Sequence, residues 1–277
     1  MMGKTLLDHL LNLYPHAKRT TFRRMLQSRR IFINGRRAAA LKQELNDSDQ
    51  VEIRDTPQPR AAGLPFRIVH EDDDILVIDK PQGLLTSTTS REKRTTALAL
   101  VRKYVAEKNP QAQLGLIHRL DRDASGLLIF SKNHQAFLSL KRQFFDHSAG
   151  RIYIAIVHGT PTPPSGTIDS RLIERADGSV HSTDKLRGSE RAITHYQTIE
   201  KHRGKSLLRV SLQTGKKHQI RAHLAERGVP IVGDTVYGEE HDKTRLLLAA
   251  VELSIVHPRT HQPISLKIAP PRDFRLV

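Results

Sequence analysis

The sequence predicts an α+β protein, in which a small module of two helices and a short sheet precedes a larger domain built on a mixed or antiparallel sheet. Three observations carry that prediction. Apolar residues recur twice at helical spacing near the N-terminus, an Asn-Gly pair follows a β-rich run, and short β-rich runs alternate with helical segments beyond residue 64.

In the first module, Thr5 is placed to cap a helix with Asp8 three positions on, and Leu6, Leu10 and Leu13 share one face. A second helix is expected to start near Thr20 or Thr21. Its apolar side is Phe22, Met25 and Leu26, which turns Arg23, Arg24, Gln27 and Arg30 outward as a basic face. Ile31-Phe32-Ile33 reads as a strand, Asn34-Gly35 as a hairpin turn, and Val51-Glu52-Ile53 as a further strand. Arg54 to Gly63, with Pro57, Pro59 and Ala-Ala-Gly, follows neither periodicity and reads as a linker. The expected organisation is a small domain at 1–55, a linker at 56–64 and a large domain at 65–277. In the large domain, strands are expected at Ile75 to Ile78, Leu116 to Leu120, Leu127 to Phe130, Ile152 to Val157, Leu207 to Leu212 and Leu246 to Leu248. Asn133 is placed to cap a helix bearing Ala136, Phe137, Leu140 and Phe144, and a helix from Gln219 to Arg227 stops at Gly228.

Composition narrows the chemistry. The 277 residues include no cysteine, which excludes disulfides, thiolate metal sites and cysteine nucleophiles together. Lys and Arg number 45 against 29 Asp and Glu, a net charge of +16 that attracts polyanions. Between His16 and Arg37 there are eight Lys or Arg and no acid, a concentration suited to a phosphate backbone. No apolar run approaches the roughly 20 residues that span a bilayer, and Asp8 and His9 interrupt the N-terminal leucines, so a cytoplasmic protein without membrane contact is expected. Neither His-Glu-x-x-His nor another compact metal set is present, and no nucleotide loop; no metal or other cofactor is expected.

Three segments bear candidate functional side chains. Asp121 lies in a polar loop between two apolar runs, beside Arg119 and Arg122, cations that favour a carboxylate available as nucleophile or base. Tyr153 stands opposite Ile152, Ile154 and Ile156 in a period-two stretch, where it could line a cleft and stack on a base. The turn Thr214-Gly215-Lys216-Lys217-His218 runs from a strand end into a helix start, a place suited to a phosphate or carboxylate, and Arg221 on that helix could pair with an aspartate from another loop. Taken singly, a structural loop clamp explains Asp121 and a core position explains Tyr153 more readily than function does, and a surface charge cluster explains the turn as well as an anion site does.

In order, the chain carries Glu71 to Gly83 with Asp79-Lys80-Pro81, then His118-Arg119-Leu120-Asp121 with Ser125-Gly126-Leu127-Leu128, then Arg151-Ile152-Tyr153. Thr214-Gly215 to Arg221 and His223, Pro230 to Asp234 with Tyr237-Gly238, and His257-Pro258 ahead of Ala269-Pro270 complete the series. From residue 64 on, this resembles the large-subunit-type, RluA-like pseudouridine synthases in motif order and spacing. The resemblance implies that fold, Asp121 as nucleophile, Tyr153 as the aromatic against the target base, and Arg221 as the cation pairing with the catalytic carboxylate. Arg119, inserted where a flipped base leaves its stack, and His118 complete the expected substrate contacts. Arg23, Arg24, Arg30, Lys216 and Lys217 are the expected RNA contacts. Ala124, Lys216-Lys217 and Glu190 depart from the family's usual residues, and Asp123 is a competing carboxylate in the same loop. Residues 5–53 resemble, more loosely, the small S4-type RNA-binding domain.

The implied reaction is isomerisation of uridine to pseudouridine in structured RNA by an aspartate acting on a flipped-out uridine. Asp121 could attack C1′, attack C6 or assist elimination at the sugar. Ribosomal RNA is favoured over tRNA as substrate, and a monomer is expected. The rival readings are a non-catalytic RNA-binding or ribosome-associated factor and a two-carboxylate base-excising hydrolase using Asp121 and Asp123.

Overall fold

The structure is a computed structural model that describes residues 4–15, 17–27, 31–34, 36–46, 48–53, 63–88, 95–238 and 244–276. Arg30, Gly35 and most of the stretch expected as a linker lie outside these residues, and Arg24 is described by its place on a helix alone. The chain divides into two compact units, Met1–Gln58 and Pro59–Val277.

In the first unit, β1 (Lys4–Thr5) leads into α1 (Leu6–Leu13), followed by α2 (Arg19–Gln27), β2 (Ile31–Ile33), β3 (Arg36–Arg37), β4 (Glu44–Leu45) and β5 (Val51–Ile53). The helix starts where Thr5 and Asp8 form a reciprocal capping box, each backbone N–H donating to the other's side chain at 3.3 Å. β2 lies between β3 and β5, and β1 pairs with β4. Asn34 takes the left-handed conformation that the hairpin turn requires, φ +51°, and its side chain accepts the Gln50 N–H at 2.9 Å. Leu6, Leu10, Phe22, Ile31 and Ile33 form the core. Leu13, expected on the buried face of α1, is 55% exposed, at the residue where the helix ends. The second helix begins one residue earlier than Thr20, and Arg23 lies on its exposed side.

The second unit is built on a sheet of eleven strands. These are β6 (Arg67–Glu71), β7 (Ile75–Lys80), β8 (Gly115–Leu116), β9 (Ser125–Ser131), β10 (Gly150–His158), β11 (Ser165–Glu174), β12 (Val180–Ser182), β13 (Glu190–His202), β14 (Lys205–Leu212), β15 (Leu248–Val256) and β16 (Pro263–Lys267). Their order is β12-β11-β13-β14-β10-β15-β9-β7-β6, with β8 on β9 and β16 on β15. All pairs are antiparallel except β9 with β15, so the sheet is mixed. Strand alternation divides the core between its faces. Leu76, Ile78, Leu128, Phe130, Tyr153 and Ala155 pack with α3 (Ala97–Lys108) and α5 (Gln219–Glu226). Ile75, Val77, Leu127 and Ile129 pack with α4 (His134–Phe145), which starts at its Asn133 cap.

The parallel seam is short, joining Ser125 and Gly126 to Ala249 and Ala250. Gly126 has φ +112°, and a Cβ there would sit 2.1 Å from the Ala250 carbonyl oxygen. The two halves of the sheet approach each other this closely only because residue 126 is glycine. Of the expected strand Leu116 to Leu120, only Leu116 is in a ladder. The chain leaves β9 because its polar groups find side-chain partners instead. Thr86 Oγ1 donates to the Leu120 carbonyl at 2.7 Å and accepts its N–H at 3.2 Å, and Lys141 Nζ donates to the Ile117 carbonyl at 3.1 Å. Leu246 and Leu247 likewise precede β15, with Leu247 bonded to Val232 and Ile156.

Two stability predictions follow from these contacts. Gly126→Ala is expected to cost about 3 kcal/mol or more through overpacking and a disfavoured φ. An unchanged urea midpoint would show that the seam yields. His223 on α5 bridges Ser170 at 3.0 Å and Thr194 at 2.9 Å, and burial holds its imidazole at about 4 against 6.5. The unfolded chain therefore binds this proton first, so the contribution is intact above pH 6.5 and is lost as pH falls towards 4. Between pH 7 and pH 4.5, unfolding free energy should fall by about 2 kcal/mol more in the parent than in His223→Gln, which cannot titrate. Equal pH slopes for the two proteins would count against it.

Candidate active site

The loop carrying Asp121 is held from below by a buried lysine. Lys80, at the end of β7, donates through Nζ to the carbonyls of Pro81 (3.0 Å), Leu84 (2.8 Å) and Arg122 (3.0 Å). Burial lowers its ammonium to about 8, while Asp121 and Asp123 pull the other way. Asp123 is bound side by side to Arg122 at 2.9 and 3.0 Å, which leaves Asp121 as the carboxylate of the loop that meets the opposite wall.

That wall is α5. Its start is anchored by the buried Gln219, whose Oε1 accepts from Thr214 Oγ1 (2.8 Å) and the Lys216 N–H (3.0 Å), while Nε2 donates to the Ile193 carbonyl and to Thr194. The Lys216 N–H is thus spent within the turn rather than left for an anion. Two residues on, Arg221 donates from Nε and Nη2 to Asp234 at 2.8 Å each, and from Nη1 to Asp121 at 3.2 Å. Asp234 also accepts the N–H groups of Val236 and Tyr237, and Gly233 before it lets the backbone approach Arg245, where a Cβ would lie 2.0 Å from the carbonyl oxygen. Burial opposes the Arg221 charge, yet the Asp234 bonds, aided by Asp121, raise its guanidinium above the ordinary value.

Asp121, Tyr153 and Arg221 line one cavity of about 1340 Å³. Burial raises the Tyr153 hydroxyl, with the Asp121 charge adding to the effect and Arg151 opposing it, so the phenol keeps its proton. Arg119 is exposed and lines the same cavity. His118 lines it as well, but its Nε2 accepts the Ile129 N–H at 3.3 Å and its ring stacks on Phe144 at 4.8 Å. Burial drives that imidazole down to about 3, which makes His118 a neutral part of the wall. Lys216 and Lys217 are at the cavity but each is paired, with Glu190 and with Glu174 respectively. Glu190, unusual at its position, is accounted for by that pair.

Sequence reasoning gave no role to Asp234, Lys80 or Tyr237. Tyr237 lies under the Arg221 guanidinium at 5.3 Å, and its hydroxyl bonds to the Val180 N–H and to His218 Nδ1. A lysine ending an otherwise apolar strand and an aspartate following Gly233 were the available signals. Among the described residues, Asp72, Asp74 and His257 are the carboxylates and histidine grouped closely enough for a metal. Their atoms are engaged instead with His70, Arg259, Asn133 and the backbone of residues 74 and 75.

Comparison with known proteins identifies the arrangement. The family described as RNA pseudouridylate synthase matches residues 74–226. Ribosomal large subunit pseudouridine synthase D of Pasteurella multocida is 31% identical over 99% of this chain and 90% of its own length. An uncharacterized RNA pseudouridine synthase, YlyB of Bacillus subtilis, is 30% identical over 92% and 87% respectively. The structure of human RNA pseudouridylate synthase domain containing 4 has the same fold, with a TM-score of 0.63 at 23% identity, covering 75% of this chain and 89% of that one. The family's match over more than half of the sequence and a relative similar along nearly all of it give one result: the chain belongs to the RNA pseudouridylate synthase family, and it forms pseudouridine in RNA.

Proposed function

We propose that the substrate is a uridine of large-subunit ribosomal RNA and that Asp121 is the nucleophile. The observation that carries the second part is the 3.2 Å pair between Asp121 and a buried arginine, in a cavity that also holds Tyr153. The reaction breaks the bond from uracil N1 to ribose C1′, turns the base and joins C5 to C1′; C5 gives up its proton to solvent and N1 takes one up, so the net change is an isomerisation. Asp121 acts as the nucleophile in that sequence, held by Arg221 on the cavity wall. Tyr153, protonated and buried, meets the base with its ring and offers its hydroxyl. Arg119 takes the place of the extruded base in the RNA stack, a step that offsets part of the few kcal/mol of unstacking. Large-subunit rRNA as the target rests on relatives named for that activity.

The N-terminal unit is an S4-like RNA-binding domain in this reading. The support is the capped α1, the basic exposed side of α2 and the Asn34 hairpin. Arg23, Arg24 and Arg30 contact phosphates, and Lys216 and Lys217 do so once RNA draws them from their carboxylates. The domain limits are 1–55 and 65–277, the protein works in the cytoplasm as a monomer, and it needs no cofactor.

Two outcomes test this. Asp121→Asn should bind the RNA within about twofold of the parent and release no tritium from C5-labelled uridine; normal release would remove Asp121 from the chemistry. Arg23→Ala should weaken RNA binding alike for different sequences and lower the slope of log Kd against log salt by about 1. A slope equal to the parent's would take Arg23 off the phosphate backbone.

A further inference from the structure

The last turn of α4 carries an aromatic residue that the fold does not use. The helix buries Ala136 and Leu140 and packs Phe137 and Phe144 beside them. Phe145 points elsewhere and is 82% exposed. Among the described residues it has no ring partner, unlike its neighbour Phe144, which carries the His118 ring and the Arg151 guanidinium. A single exposed ring needs no partner of its own; what distinguishes Phe145 is its place at the cavity that holds Asp121, Tyr153 and Arg221.

Three features identify the partner. Phe145, Arg142 and His147 line the same cavity as Asp121, Tyr153 and Arg221. At about 1340 Å³ the cavity exceeds the roughly 300–1,000 Å³ of a small-ligand pocket, so a single flipped uridine leaves room for its neighbours in the strand. The surroundings of Phe145 are basic: Lys141, Arg142 and His147 stand against Asp146 alone in this stretch. Arg142 meets Asp146 at 3.3 Å with its side chain 84% exposed, a surface pair weak enough to yield to a phosphate.

We propose that Phe145, flanked by Arg142 and His147, is a stacking platform for an unpaired base next to the target uridine in the substrate RNA. The proposal rests on the RNA reading of the cavity and adds a second aromatic subsite to it. Stacking on a ring tolerates any base, so the platform holds the strand without selecting its sequence. It leaves chemistry at the uridine to Asp121.

The test combines protein and RNA changes, using the full chain and an RNA fragment that the parent modifies. Phe145→Ala is expected to weaken RNA binding by about 5- to 100-fold, with Phe145→Trp restoring it. The single-turnover rate at saturating RNA and the melting temperature should both stay at parental values, since the ring is neither in the core nor at the reacting atoms. Replacing the base on one side of the target by an abasic nucleotide should weaken the parent to the same degree and Phe145→Ala no further. Parental affinity in Phe145→Ala, or additive losses at every flanking position, would overturn the platform. So would an unchanged RNA affinity accompanied by an altered oligomeric state, which would make Phe145 a protein contact. Pseudouridine made by the parent is scored separately by tritium release, so failure of the target assignment is read from product and failure of the platform from Kd.

Discussion

Arg221 turns two nitrogens of its guanidinium to Asp234 at 2.8 Å and the third to Asp121 at 3.2 Å, so a single planar group spans two carboxylates of different character. The Asp234 side chain is fully buried and that of Asp121 is 24% exposed to the cavity. Their roles divide accordingly. Asp234 fixes the fork and compensates the buried positive charge; Asp121 meets what remains of it at the solvent side. Breaking such a buried pair by removing one partner costs about 3–5 kcal/mol, because the other charge is left in a poorly solvated place. A lysine could not replace the arginine, since a single ammonium on a flexible stem has no fork with which to reach both carboxylates in fixed directions.

Geometry on the other side of the pair comes from the backbone. Asp121 lies between a residue tied to Thr86 and one whose carbonyl is held by Lys80, and a few residues later Gly126 locks the chain against Ala250. The loop is therefore fastened at both ends. Lys80 does this from a position with no exposed surface, where its ammonium is satisfied by three carbonyls and is electrostatically favoured by the two loop carboxylates. A buried cation is costly unless paired in this manner. Its use here places fixed positive charge behind the carboxylate while keeping the cavity face open.

What was legible in the sequence was local. The capping box of Thr5 and Asp8, the Asn133 cap and the positive φ at Asn34 each follow from a few adjacent residues. The strand expected at Leu116 to Leu120 failed because apolar content reports burial, not ladder pairing: Ile117 and Leu120 are buried, but Thr86 and Lys141 supply their hydrogen bonds. The ion pairs of Lys216 and Lys217 were illegible for a similar reason, their carboxylate partners being 26 and 43 residues away. Arg221 and Asp121 are 100 residues apart, and motif order, not periodicity, brought them under consideration together. Asp234 as the fork's second partner had no comparable cue beyond its place after a glycine.

The overall charge of +16 attracts RNA without saying where it is gripped, and the cavity itself is less basic than its residue types suggest. Lys216, Lys217 and Arg122 are each matched by a carboxylate, and His118 is neutral. Arg119, which has no ion pair among the described residues, is the exposed cation beside Asp121. Such a distribution suits the proposed extrusion of the target base. Long-range charge brings the strand in, but uniform attraction to phosphates would hold the stacked and flipped forms equally well and would not favour extrusion. In the proposed site, contacts available only to the flipped form supply that difference: a side chain entering the vacated stack and an aromatic ring against the uracil.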